Sequence, residues 1–129
     1  MPLIRIDVVA GRTPEQVRQL LDAAHRAMLT AFQVPERDRY QVYQEHPPEH
    51  LIVEDTGLGI PRTNNVVVVS VVSRPRTQDM KQAFYAELCR ELKQSCGIAA
   101  SDVMVSIVTN TDADWSFGNG RAQFLTGEL

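Results

Sequence analysis

An α+β fold made of two β-α-β halves is the architecture this sequence predicts, and three observations carry it. Leu3–Val9 alternates, with Ile4, Ile6 and Val8 on one face and Leu3, Arg5, Asp7 and Val9 on the other, the period-2 signature of a strand. Val66–Ser73 is a β-branched run without polar alternation, as a central strand covered on both faces requires. The two stretches stand about 63 residues apart in equivalent places, each followed by a helical pattern and a further strand.

The elements follow in order. Gly11-Arg12 turns the chain out of the first strand, and Thr13-Pro14-Glu15-Gln16 opens a helix. Thr13 can cap, Pro14 suits the first helical position, and Gln16 completes a capping box. Val17, Leu20, Leu21, Ala24, Met28, Leu29 and Phe32 then recur at helical spacing until Val34-Pro35. Arg39–Glu45 reads as a shorter, more polar strand, and residues 46–65 as an irregular linker. Arg74-Pro75-Arg76 closes the valine-rich strand. Thr77 caps a second helix with Met80, Phe84, Leu88, Leu92 and Cys96 on one face, ended by Gly97-Ile98. Val103–Val108 is the fourth strand, and a tail rich in turn residues and aromatics follows.

The expected organisation is a single domain over residues 1–129, with halves at about 1–46 and 66–109 and a tail at 110–129. Each half should be a right-handed crossover between parallel strands. Two helices can cover only one face of the resulting four-stranded mixed sheet. The third strand is nevertheless apolar at both parities, and the fourth sets Met104 and Val108 opposite Val103, Val105 and Ile107. Another subunit is therefore expected on the other face.

Composition narrows the function. A length of 129 residues, 43% apolar and 22% charged, describes one ordinary globular domain. A net charge of −3 without a basic block argues against nucleic acid. No apolar run reaches membrane-span length, and Asp7 interrupts any signal-peptide core, so a cytoplasmic location is expected. Cys89 and Cys96 lie roughly 10 Å apart along one helix, too far for a disulfide, and read as small buried hydrophobes. Pro47-Pro48 separates His46 from His50 and disfavours a metal pair, and His25 reads as an ordinary helix residue. Gly57-Leu58-Gly59 lacks the following helix and the lysine of a phosphate loop, and reads as a tight turn or hairpin.

Two features can carry chemistry. Removal of Met1 would make Pro2 an amino-terminal secondary amine at the head of a strand, able to act as base, nucleophile or positive charge. Arg74 and Arg76, two apart at a strand exit, are expected to leave on the same side, with Pro75 holding Arg74 extended. Such a pair is either a fork for an anion such as a carboxylate or two solvated arginines. Spacing alone leaves both readings open and leans to the second.

The strings Gly11-Arg12-Thr13, Leu20-Leu21-Asp22-Ala23-Ala24-His25, Asp38-Arg39-Tyr40-Gln41, Glu54-Asp55-Thr56-Gly57-Leu58-Gly59, Ser73-Arg74-Pro75-Arg76, Asp112-Ala113-Asp114-Trp115-Ser116-Phe117-Gly118 and Phe124-Leu125-Thr126-Gly127 span nearly the whole chain. On these the sequence resembles the tautomerase superfamily, and within it the malonate semialdehyde decarboxylase branch. The resemblance implies a trimer with Pro2 as the catalytic amine, Arg74 and Arg76 on the substrate carboxylate, and Asp38 assisting beside the proline. It also implies an apolar wall of Trp115, Phe117, Phe124 and Leu129. The implied reaction is decarboxylation of a small 3-oxo acid, malonate semialdehyde, to acetaldehyde and CO₂ without metal or organic cofactor. Enol–keto tautomerisation of a 2-oxo acid, hydratase or dehalogenase chemistry on acrylates, and a non-catalytic binding role on the same scaffold are the alternatives.

Overall fold

The computed structural model describes residues 2–129; the expected removal of Met1 concerns a residue outside that range. The chain runs β1 (Leu3–Val9), α1 (Pro14–Phe32), β2 (Tyr40–His46), β3 (Val67–Ser73), α2 (Gln78–Cys96), β4 (Val103–Thr109) and a single-turn α3 (Gln123–Thr126). The strands form one mixed sheet in the order β2-β1-β3-β4. Within each β-α-β half the strands are parallel, β1 with β2 and β3 with β4. The halves meet where β1 and β3 pair antiparallel, from Leu3↔Val72 to Val8↔Val67.

Both long helices begin as their capping residues dictate. Thr13 Oγ accepts the Gln16 N–H at 3.2 Å while Gln16 Oε1 accepts the Thr13 N–H at 2.9 Å, a complete capping box. Thr77 Oγ accepts the Met80 N–H at 3.1 Å. α2 ends at Gly97, whose φ of 66° few other residues would adopt. Gly97 N–H donates to Lys93 O and Ile98 N–H to Leu92 O, and Ile98 is buried beneath the turn.

The helices cover the face carrying Ile4, Ile6, Val8, Val67, Val69 and Val71. Leu20, Met28, Phe32, Phe84, Leu88 and Leu92 fill the layer between, with the Phe32 and Phe84 rings 5.6 Å apart. Each such side chain stabilises the fold by about 1.5–3 kcal/mol on burial. The opposite face carries no helix. On it Leu3, Tyr40, Val42, Met104 and Val108 are each 38–60% exposed.

The linker after β2 holds itself by local hydrogen bonds. The Asp55 carboxylate accepts the N–H groups of Gly57, Gly59 and Ile60, so the glycine-rich stretch is a tight turn built on an aspartate. Asp102, almost fully buried, accepts the Thr63 N–H at 2.7 Å and the Thr63 hydroxyl, tying the linker to the start of β4. A small hairpin forms in the tail, where Gly118 bridges Arg121 around Asn119 and Gly120, both at positive φ. Cys89 and Cys96 are free but only half-buried, a correction to the expectation of core hydrophobes; burial still pushes both thiols above the usual range. Among the described residues no helix is long and apolar enough to cross a membrane.

Phe84→Ala should destabilise the fold by about 3–5 kcal/mol, whereas Tyr85→Ala, one position on and 38% exposed, should cost about 1 kcal/mol or less. Urea unfolding at a fixed protein concentration measures both, and equal costs would contradict this packing.

Candidate active site

Register gathers the site residues at one end of the sheet. β1 starts beside the start of β2 (Leu3↔Tyr40) and the end of β3 (Leu3↔Val72), and β3 ends beside the end of β4 (Ser73↔Thr109). Pro2, which is buried, directly precedes the first of these pairs. Asp38, Arg74, Arg76 and the tail all leave the sheet at this same end. The C-terminus of α1 reaches it too, since Phe32 lies under Arg76.

The two arginines part after leaving β3. Arg76 Nε donates to the buried Ser73 hydroxyl at 3.2 Å, and its guanidinium stands 5.0 Å over the Phe32 ring, with Nη1 3.4 Å from Phe32 O. Arg74 lies 3.8 Å over the face of Phe124 and donates from Nη1 to Asp112 at 3.0 Å. They therefore do not run side by side as the spacing suggested, yet they remain within each other's field. Burial lowers the Arg76 pKa first, repulsion from Arg74 lowers it further, and the Asp38 carboxylate pulls it back. Asp38 is itself buried.

The tail builds an aromatic wall across this end. Asn110 N–H donates to Ser73 O, extending the β3–β4 ladder by one bond, and Thr111 and Asp114 then box a 3₁₀ turn over Asp112–Asp114. Trp115 Nε1 donates to Asn110 Oδ1 at 2.7 Å. The Trp115 and Phe117 rings stack at 5.3 Å and 10°, and Phe124 meets Phe117 edge-on at 5.5 Å. Gln123 locks the return by accepting the Phe117 N–H at 2.9 Å and donating to Gly118 O at 2.8 Å.

A cavity of about 460 Å³ opens beside this wall, lined by Pro35, Asp38, Tyr40, Phe117, Gln123 and Leu129 among others. Leu129 is thus at the cavity but 61% exposed. Arg74 and Arg76 do not line it; Arg74 joins it through the Phe124–Phe117 contact. Hollows of about 620 and 520 Å³ lie elsewhere and contain none of these residues, and one of about 560 Å³ adjoins at Pro35 and Arg37. Among the described residues no group of three histidine, cysteine, aspartate or glutamate side chains is placed to hold a metal ion.

Several residues here had been given no role by the sequence. Tyr40 packs its ring 5.6 Å from Phe117, and Asp112 pairs with Arg74. His25, read as an ordinary helix residue, is buried with Nε2 2.6 Å from the Glu36 carbonyl oxygen. That contact holds α1 against the turn in which Asp38 N–H donates to Pro35 O. On the far side of Asp38, Arg39 reaches Asp22 at 2.7 Å, and Gln41 Nε2 donates to Leu21 O at 2.8 Å. Three ties from one face of α1 thus bracket Asp38. The i, i+3 spacing of Asp22 and His25 was the one available hint.

The chain matches known proteins along its whole length. A family model described as "Tautomerase enzyme" matches residues 38–118, and a second with the same description matches residues 2–60. "Probable tautomerase YrdN" of Bacillus subtilis (strain 168) is 54% identical over 129 residues, all of both chains. Crystal structures of a malonate semialdehyde decarboxylase, in wild-type, mutant and inactivated forms, match at 52% identity and a TM-score of 0.96, covering 98% of each chain. FG41 malonate semialdehyde decarboxylase inhibited by 3-bromopropiolate matches at 43% identity and a TM-score of 0.93, covering 98% of this chain and 97% of its own.

Trp115 is the sole tryptophan, so its emission reports on the wall. Gln123→Ala removes both bonds that close the tail and should lower stability by about 1–3 kcal/mol. Its fluorescence should shift to the red, with the far-ultraviolet circular dichroism unchanged. An unshifted spectrum would mean that the wall stands without the glutamine.

Proposed function

The chain belongs to the tautomerase family, and from that premise we propose that it is a cofactor-independent decarboxylase of malonate semialdehyde (3-oxopropanoate). Hydratase or tautomerase activity would accompany it on the same site. The observation that carries this reading is the placement of Arg74 and Arg76 at the sheet end where Pro2 leads into β1, against an aromatic wall and with Asp38 in the field of Arg76. The likeness to two malonate semialdehyde decarboxylases supports the choice of substrate.

In this mechanism Arg74 and Arg76 hold the substrate carboxylate, and the ammonium form of Pro2 donates a hydrogen bond to the aldehyde oxygen. The C1–C2 bond breaks, CO₂ leaves, and the electron pair moves into the C2=C3 bond of an enolate whose oxygen takes the negative charge. Pro2 stabilises that charge as it develops. A proton passed from the Pro2 ammonium to C2, and replaced on Pro2 from solvent, then gives acetaldehyde. Asp38 favours the ammonium form of Pro2, whereas the two arginines oppose it. Trp115, Phe117, Phe124 and Leu129 make the anion site less polar, which favours departure of a neutral product. A neutral Pro2 could instead attack the aldehyde and form an iminium as the electron sink.

The open sheet face, with five large apolar side chains partly exposed, supports self-association as a homotrimer, and the cytoplasm is the expected setting. Light scattering tests the assembly, and a monomer would refute it.

A second reading has its own support, since the 54% identical relative is named a tautomerase. There a neutral Pro2 would act as base on an enol or 2-oxo acid. The two readings differ in sign with pH. Decarboxylation through the ammonium form is lost as pH rises through the Pro2 pKa, whereas tautomerisation by the neutral amine is gained over the same interval.

Intact mass with an assay on malonate semialdehyde provides the main test. Protein beginning at Pro2 should release CO₂, and Pro2→Ala should lose most of that activity; equal rates would end the decarboxylase reading. Arg74→Ala and Arg76→Ala should each lower kcat/KM by about 10- to 100-fold, the worth of a charge-assisted hydrogen bond. Unchanged kinetics would return either arginine to the surface.

A further inference from the structure

We propose that Asp112 is a specificity-determining residue, whose carboxylate holds Arg74 from one side and confines the anion site to monocarboxylates. The inference rests on the reading that Arg74 and Arg76 take a substrate carboxylate.

The contact is a single bond, Arg74 Nη1 to Asp112 Oδ1 at 3.0 Å. Arg74 Nε, by contrast, is buried and has no hydrogen-bond partner among the described residues. With its face against Phe124 at 3.8 Å, the guanidinium cannot simply swing into water to satisfy that donor. A small carboxylate held by this guanidinium shares it with Asp112, which keeps Nη1, so the two negative charges face each other across one arginine. Arg76 is the more committed of the two, already donating to Ser73 and Phe32 O.

Asp112 is about half exposed, and such ion pairs often contribute little to stability. Its position, however, is built. The Asn110–Ser73 backbone bond anchors the chain on one side, and Asp114 takes both the Thr111 N–H at 2.8 Å and the Thr111 hydroxyl at 2.9 Å around the same turn. The carboxylate is carried to Arg74 by a fixed turn.

Charge explains what it does there. Arg74 and Arg76 contribute two positive charges, and Asp38 and Asp112 two negative ones, so the four sum to zero before any ligand arrives. One further carboxylate is balanced by an ammonium Pro2. A second carboxylate on the same ligand leaves a net negative charge near the half-exposed Asp112, which repels it. Removing the Asp112 charge relieves the dianion much more than the monoanion.

The test compares propanoate with malonate, three-carbon acids of one and two carboxylates, by NMR shift titration of wild type, Asp112→Asn and Arg74→Ala. Asparagine retains an acceptor for Arg74 and removes only the charge. Asp112→Asn should tighten malonate by roughly tenfold and propanoate by no more than about threefold, with the difference shrinking as salt rises. Equal tightening of both acids, or no change in either, overturns the charge filter. Arg74→Ala separates that result from failure of the underlying reading. If it weakens both acids while Asp112→Asn alters them alike, only the filter fails. If it leaves both unaffected, or if wild type binds neither, the carboxylate site fails and the proposal with it.

Discussion

The antiparallel pairing of β1 with β3 is the constraint on which the rest of the molecule depends. Each β-α-β half has parallel strands and could close on its own. The sense of the central junction decides where the strand ends fall. Because β1 and β3 run opposite ways, the first residue of β1 sits beside the last residues of β3. A parallel junction would move Arg74 and Arg76 to the far end of a seven-residue strand, roughly 20 Å away. Pro2, Asp38, the arginines and the aromatic tail share one end of the sheet through this single choice of register.

The same sheet is covered unequally. Its helical face buries Ile4, Ile6, Val8, Val67, Val69 and Val71, while Leu3, Val42, Met104 and Val108 lie open on the other. The charges on that open face come paired: Asp7 accepts from Arg5 at 3.1 Å and from His46 at 2.7 Å across β1 and β2. Although partial burial pushes the Asp7 carboxyl up, those two hydrogen bonds hold it below the usual range. A face that combines exposed apolar residues with charges already neutralised loses little on being covered, because no unpaired charge has to leave water. Open-sheet geometry and electrostatics thus favour the same association on the proposed reading.

Local signals made most of the fold legible. Thr13 and Thr77 announce their helices, Gly97-Ile98 announces an end, and the valine run announces a central strand; each depends on residues within a turn or two. The resemblance implied an apolar wall of Trp115, Phe117, Phe124 and Leu129, and the rings of the first three are in contact, while Leu129 is largely exposed. What the sequence did not reveal is non-local. Asp112 reaches Arg74 across 38 positions, and His25 grips the Glu36 carbonyl, a backbone group that any residue would supply. Gln123 acts through the backbone of Phe117 and Gly118, so nothing in its neighbours' side chains marks it. The divergence of Arg74 and Arg76 was hidden because strand periodicity fixes only where side chains leave, whereas Ser73, Phe32, Asp112 and Phe124 decide where the guanidinium groups go.

Two guanidinium groups in mutual range would be costly without further support, and the structure shows how each is accommodated. Arg76 has the Ser73 hydroxyl, the face of Phe32 and the charge of Asp38; Arg74 has Asp112 and the face of Phe124. Burial and like charge do lower the Arg76 pKa, but a guanidinium starts so far above neutrality that it keeps its proton. A lysine in that place would start about two or more pKa units lower, and the same desolvation would favour its neutral form. A flat cation also rests on an aromatic ring with its edge donors still directed sideways, whereas a compact ammonium offers no such edge. At Arg76 arginine is required because it remains charged while half-buried beside another cation, and at both positions because a planar cation rests on a ring and still presents a donor edge.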